Sequence, residues 1–335
     1  MNQLHLELYC LYFTKMKFVK DIIGAELEIF EKKFESAVNS NTPLLDRIMK
    51  YIIKRKGKQL RPMFVFLSAK LHGPVNETTY RAAALVELLH TATLVHDDVV
   101  DESMERRGFF SINAIWKNKI AVLVGDYLLS KGLLLSTSHN DFDQLHILSD
   151  AVKKMSEGEL LQIEKSRNLN LDEDIYFEII RNKTASLLSS ACAAGAWSTS
   201  NDKAITEKMK IFGEKTGIAF QIKDDLFDYG TADVGKPTGN DIKEKKLTLP
   251  LIYTLNNVPK SEKKALIYTL KNENKIPEKI SAVIKTVIAT GGIDYATQKM
   301  NQYRDDALGI LNEFGNSPEK NALEELVRYT TDRKY

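Results

Sequence analysis

Apolar residues recur along most of the chain at three- and four-residue spacings, the period of an amphipathic helix. Ile23, Leu27, Phe30 and Phe34 repeat on one such face. Thr42-Pro43 reads as an N-cap followed by proline at the first helical position, with Leu44, Leu45, Ile48, Met49 and Ile52 as the stripe behind it. Gly57 and Pro62 bracket a break, Gly73-Pro74 ends the next helix, and Asn76 caps a long one that reaches Asp101 without Gly or Pro. The same reading predicts helices over 119–138, 141–165, 172–197 and 204–229, then a loop over 230–249. Shorter amphipathic helices follow over 249–256, 260–271, 277–290, 294–314 and 318–332. Strand-like alternation is confined to 63–67, between helical patterns. The pattern predicts a single all-α domain, a helical bundle of about ten helices or more.

Composition narrows the class. The chain has 335 residues with 17 Gly and 8 Pro, well under the roughly 12% of an average chain. So few chain breakers favour long helices over sandwiches, barrels or propellers. The formal net charge of +2 gives no electrostatic case for nucleic acid or an anionic membrane as the main partner. Two cysteines, Cys10 and Cys192, form no CxxC pair, which excludes a disulfide framework and a thiolate zinc site. No uninterrupted apolar run approaches the roughly 20 residues of a transmembrane segment, and the N-terminus lacks the features of a signal peptide. The expectation is a cytoplasmic protein.

The sharpest feature is Asp97-Asp98-Val99-Val100-Asp101, repeated as Asp224-Asp225-Leu226-Phe227-Asp228. On a helix, Asp97 and Asp101 share a face one turn apart, with Asp98 about 100° round. A lone DDxxD is most simply a solvated acidic helix end. Two copies, each following an apolar stretch, place six carboxylates on buried faces, where an uncompensated charge is very costly. Mg²⁺ relieves such crowding, because it takes oxygen ligands and bridges carboxylates to substrate phosphates. Cations flank both clusters: Lys58 and Arg61 before the long helix, Arg106-Arg107 after the first cluster, Lys183-Thr184 within 172–197, and Lys236 and Lys246 after the second. Anions for metal and cations for phosphate suggest two diphosphates, one bound through Mg²⁺ and one directly.

With these residues in view, the sequence resembles the trans-isoprenyl diphosphate synthases (polyprenyl synthetases), in their long-chain form. The carrying segments are GKQLRP at 57–62, ELLHTATLVHDDVVDESMERRG at 87–108, LVGDYLL at 123–129, EGELLQ at 157–162, NKTASLL at 182–188, FQIKDDLFDYGT at 220–231 and GKPTGNDIKEKKLTLPLI at 235–252. The likeness leaves 1–16 as an N-terminal extension and 17–335 as the polyprenyl synthetase domain; Met16 offers an alternative start. It implies helices around a deep central cavity and a homodimer. It also implies that Asp97, Asp98, Asp101, Asp224, Asp225 and Asp228 bind about three Mg²⁺ ions with the allylic diphosphate. Lys58, Arg61, His90 and Arg107 would hold isopentenyl diphosphate. Arg106, Lys183, Lys236 and Lys246 would grip the allylic diphosphate, with Thr184 and Gln221 beside the developing cation and Phe220 offering it a ring face. Three segments depart from the family pattern. Lys56-Gly57-Lys58 stands where Gly-Gly-Lys is frequent, Phe109-Phe110-Ser111-Ile112-Asn113 where a Pro-Thr segment is common, and Lys245 where Gly is common.

Chain length is read from the helix below Asp97. In the family, bulky residues just before the first cluster stop the growing chain. Here Ala92 and Thr93 are small, with Leu89 and Leu85 roughly 12 and 18 Å below Asp97 and Leu88, Leu129 and Leu133 as a floor. The expectation is a long all-trans product of about C35 to C45, best placed at about C40, suited to a quinone side chain, with a peripheral membrane contact for its release. A shorter-chain synthase is the alternative. A terpene cyclase fits less well, because the second DDxxD is intact, and so does a non-catalytic subunit, because the site residues are retained.

Overall fold

The structure, a computed structural model, describes residues 3–55, 57–106, 108–168, 172–230 and 239–333. Arg107 and Lys236 therefore lie outside the described residues. The fold is all-α, as the periodicity predicts. Helix α1 spans Gln3–Val38 and leaves helical geometry once, at Ile23. Helix α2 spans Pro43–Lys54; Thr42 takes the extended N-cap conformation, but its side chain makes no capping bond.

Helix α3, Leu60–Lys70, contains the 63–67 stretch with strand-like alternation. Residues 62–69 are all buried, so no polar face remains to mark the helical period. Helix α4, Glu77–Val100, opens as expected at Asn76, which forms a reciprocal capping box with Thr79. It ends with Asp97 and Asp98 in its last turn and Asp101 just beyond.

A two-residue hairpin follows, β1 Glu105–Arg106 pairing with β2 Phe109–Phe110, which the sequence pattern did not predict. Next come the short α5 (Ile112–Trp116), α6 (Asn118–Thr137) and α7 (Phe142–Asn168). The helix expected over 172–197 is three segments: α8 (Glu173–Ile180), a π-helical turn at Arg181–Ala185, and α9 (Ser186–Ser200). Helix α10, Lys203–Phe227, carries the second acidic cluster at its end. The rest is α11 (Asn240–Lys243), α12 (Leu249–Asn257), α13 (Lys260–Asn272), α14 (Pro277–Ala289), α15 (Gly292–Leu311) and α16 (Pro318–Asp332).

Helices α3 and α9 are the central pair. Helix α9 presents mostly Ser, Ala and Gly to its neighbours, so α3, α7 and α10 all pack against it. The π turn is gripped from two sides. A side chain at Gly158 of α7 would bring Cβ within 2.8 Å of the Lys183 amide nitrogen. One at Gly217 of α10 would bring it within 2.6 Å of the Ala185 Cα. Helix α6 buries Ala121, Val124, Gly125, Leu128 and Gly132, and packs on α4. It also leaves Val122, Leu123, Leu133 and Leu134 exposed. With two apolar faces it reaches a mean hydropathy of 1.4 and has the length to cross a membrane by composition alone.

The Gly217 fit yields a test. Gly217→Ala is expected to destabilise the protein by about 1–3 kcal/mol through overpacking. Gly309→Ala, at an exposed helical position with nothing near its Cβ, is expected to stabilise by roughly 0.5–1 kcal/mol. Denaturant unfolding of both variants checks the pair.

Candidate active site

Asp98 is 3% exposed and is neutralised by the hairpin, where Arg106 Nε donates to its Oδ1 at 2.7 Å. Asn113 Nδ2 donates to the Asp98 carbonyl at 3.1 Å, so α5 holds the same turn from below. Burial raises the Asp98 carboxyl above the usual carboxylate range, and Arg106 opposes that rise. Asp97 is half-buried. Burial first, and then the charge of Glu159 on α7, push it up to about 6. Glu159 is itself ion-paired with Lys183 in the π turn. Asp101 is exposed.

The second cluster is more deeply held. Asp225 accepts from the Tyr176 hydroxyl at 2.7 Å and from Gln221 Nε2 at 2.8 Å, while Gln221 Oε1 accepts from Thr184 Oγ1 at 2.8 Å. Burial, followed by the nearby Asp241 charge, pushes Asp225 up to about 8. Asp224 Oδ1 is ion-paired with Arg333 Nη2 at 2.6 Å. Asp228 accepts the backbone N–H groups of Asn240 and Asp241 at 2.8 and 3.1 Å, so its carboxylate caps the first turn of α11.

Lys183 and Lys246 bring the two clusters into one site. Lys183, Thr184, Gln221, Asp225, Asp241 and Lys246 share a cavity of about 240 Å³. The charge of Lys183 also acts on Asp97. Burial alone would lower the Lys246 ammonium, but its 2.5 Å bond to Glu244 and the charges of Asp241 and Asp101 raise it. Lys246 thus feels Asp101 of the first cluster and lines the cavity that holds Asp225 of the second.

A second cavity, of about 360 Å³, opens beside Asp98 and Arg106 and is lined by His90, Arg55, Leu94 and Phe109 among others. His90 is buried. Exposed Lys58 places its ammonium 5.4 Å from the Tyr329 ring on α16, and Arg61 starts α3 half-buried. The Phe220 ring is covered by the Arg333 guanidinium at 4.0 Å, so that face is taken by a protein cation.

Along the helix below Asp97, Thr93 is half-buried, while Ala92 is fully buried among apolar residues of α2 and α6. Leu89 and Leu85 are buried and close against Gly132 of α6, where a Cβ would come within 2.8 Å of Leu85 Cδ1. Leu129 is partly buried, and Leu133 is exposed on the outer face of α6.

The sequence reading missed Glu159, Tyr176, Asp241 and Arg333. Tyr176 had a usable signal, since it lies two helical turns before Lys183 on the same face. Glu159 lay inside a segment quoted for its likeness alone. Arg333 had no signal, because only tertiary packing brings the chain end to Asp224.

Oxygen donors suit a hard dication. Among the described residues no three acidic or imidazole side chains converge into a ready-made cage. The carboxylates ending α4 and α10 are the kind of donor that Mg²⁺ takes together with waters and substrate phosphates.

An all-α bundle that brings two carboxylate clusters near shared lysines has the donors for a metal-bound diphosphate. Residues 42–287 match the polyprenyl synthetase family, and the chain belongs to it. The octaprenyl diphosphate synthase of Escherichia coli (strain K12) is 31% identical over 94% of this chain and 96% of its own length. The heptaprenyl diphosphate synthase component 2 of Bacillus subtilis (strain 168) is 31% identical over 96% and 92%. A solved polyprenyl synthase from Caulobacter crescentus CB15, complexed with calcium and isoprenyl diphosphate, has a TM-score of 0.88 at 33% identity, covering 95% of this chain and 98% of its own. Relatives carry names from geranylgeranyl to decaprenyl diphosphate synthase.

Tyr176→Phe leaves a buried carboxyl short of a partner and is expected to cost about 1–3 kcal/mol in denaturant unfolding.

Proposed function

We propose that the protein condenses isopentenyl diphosphate onto an allylic diphosphate, farnesyl or geranylgeranyl, to build a long all-trans polyprenyl diphosphate of about C40. The observation that carries this reading is the pairing of both acid clusters with the same lysines. Asp97, Asp98, Asp101, Asp224 and Asp225 would hold Mg²⁺, with Asp228 serving through the turn that it caps. Bound there, Mg²⁺ supplies charge neutralisation of the leaving diphosphate.

Lys183, Lys246 and Arg106, with Lys236, grip that diphosphate while the allylic C–O bond breaks and its electron pair leaves with the oxygen. Lys58, Arg61, His90 and Arg107 hold isopentenyl diphosphate so that its alkene pair forms the new bond to C1. The Thr184–Gln221 pair presents oxygen dipoles to the cation. A proton then passes to the released diphosphate, so no protein base is needed.

Small Thr93 one turn below Asp97 supports a long product, and so do the names of the octaprenyl and heptaprenyl relatives. The chain would descend past Thr93 toward Leu89 and Leu85. The apolar outer face of α6 supports a homodimer, and exposed Phe109 and Phe110 at the site rim support peripheral membrane contact of a cytoplasmic enzyme during product release. The component 2 name of the Bacillus relative favours a second reading, a subunit of a heteromeric synthase.

Purified chain with Mg²⁺, farnesyl diphosphate and labelled isopentenyl diphosphate is expected to yield a long product unaided. No product without a partner subunit would favour the heteromeric reading. Asp97→Asn and Asp224→Asn should each lower kcat/KM by about 100-fold or more. Thr93→Phe should shorten the product, and an unchanged chain length would refute the tunnel argument. In light scattering, Leu134→Glu should turn a dimer into a monomer, because it puts a charge into an apolar interface.

A further inference from the structure

The last described residue, Arg333, sits in the site. It is the first residue beyond α16 and leaves the helix in an extended conformation, turned toward α10. Its side chain is 14% exposed. Nε donates to the Thr330 carbonyl at 3.0 Å, and Nη2 donates to the Phe220 carbonyl at 3.3 Å and to Asp224 Oδ1 at 2.6 Å. The guanidinium lies 4.0 Å from the Phe220 ring centre and 5.3 Å from that of Phe227. One turn back on the same helix, Tyr329 lies under Lys58. The final turn of α16 thus touches the second acid cluster through Arg333 and the basic arm through Tyr329.

We infer that Arg333 is a built-in counter-cation for Asp224 that competes with the divalent metal. Three facts favour competition over support. The contact is made to a carboxylate oxygen, the atom a hard dication needs. A guanidinium cannot shed its proton to relieve repulsion. The rings beneath it give the cation a resting place beside the site. In the substrate-free protein Arg333 keeps Asp224 compensated and α16 docked on α10. Metal arrival at Asp224 expels the guanidinium and loosens the final turn of α16, which frees Tyr329 from Lys58. The end of the chain thereby senses whether the metal site is filled.

The inference rests on the proposed metal role of Asp224, and the test separates the two. Mn²⁺ binding to the substrate-free protein is measured by electron paramagnetic resonance in wild type, Arg333→Gln, Arg333→Lys, Asp224→Asn and the Arg333→Gln/Asp224→Asn double variant. Hydrogen exchange of residues 326–333 is followed with and without Mn²⁺, and thermal melts establish that each variant is folded. Arg333→Gln should bind Mn²⁺ roughly fivefold tighter or more, Arg333→Lys should fall between it and wild type, and the gain should vanish in the double variant. Mn²⁺ should speed exchange of 326–333 in wild type and leave it unchanged in Arg333→Gln, where it is already fast. Equal or weaker Mn²⁺ binding by Arg333→Gln, or slowed exchange on metal addition, overturns the inference while leaving the metal role intact. If Asp224→Asn binds Mn²⁺ as wild type does, the metal role itself fails and the inference with it.

Discussion

Carboxylates crowded into a partly dry cavity must be compensated, and that requirement organises the site. Breaking a buried ion pair by removing one partner costs about 3–5 kcal/mol, against about 0–1 kcal/mol for an exposed pair. The protein meets the requirement internally. Asp98 has Arg106, Glu159 has Lys183, Asp224 has Arg333, and Asp225 has hydrogen bonds from Tyr176 and Gln221. Two of these cations, Arg106 and Lys183, are also groups proposed to grip diphosphate. On that proposal substrate arrival would be an exchange of partners, metal taking the carboxylates and phosphate taking Lys183 and Arg106. Such an exchange lets the folded protein tolerate its charges while it waits.

The fold makes that exchange geometrically possible. Both clusters end long helices, α4 and α10, and the π turn between α8 and α9 points Lys183 and Thr184 at them. A π turn widens the helix locally and re-aims side chains, which is why such turns recur at functional sites. Gly158 and Gly217 hold it in place by leaving no room for a side chain on either flank. The same close packing thus fixes Lys183, which pairs with Glu159 beside Asp97 and lines the cavity of Asp225.

Most of this fold was legible because most helices here have one wet face, and their boundaries fell within a few residues of expectation. Helix α3 read ambiguously at 63–67 because it is buried all round, which erases the period. The π turn was invisible because its residues keep helical hydrophobicity. The β1–β2 hairpin was missed because two-residue strands carry no alternation to read. In the site, the aspartates were legible as a repeated local pattern. Asp241 and Arg333 were not, because each reaches the cluster through tertiary approach rather than spacing, while Tyr176 had only its place two turns before Lys183 to mark it. Asp228 shows the converse. Its motif position pointed to metal, while its carboxylate is spent on two backbone N–H groups of α11.

That use of Asp228 bears on how the second cluster can act. A carboxylate capping a helix turn holds Asp241 where it raises the pKa of Asp225 and helps keep Lys246 charged. The turn therefore couples an acid that resists ionisation to a lysine that stays protonated. Both groups line one cavity with Asp241, so its charge is set by all three together.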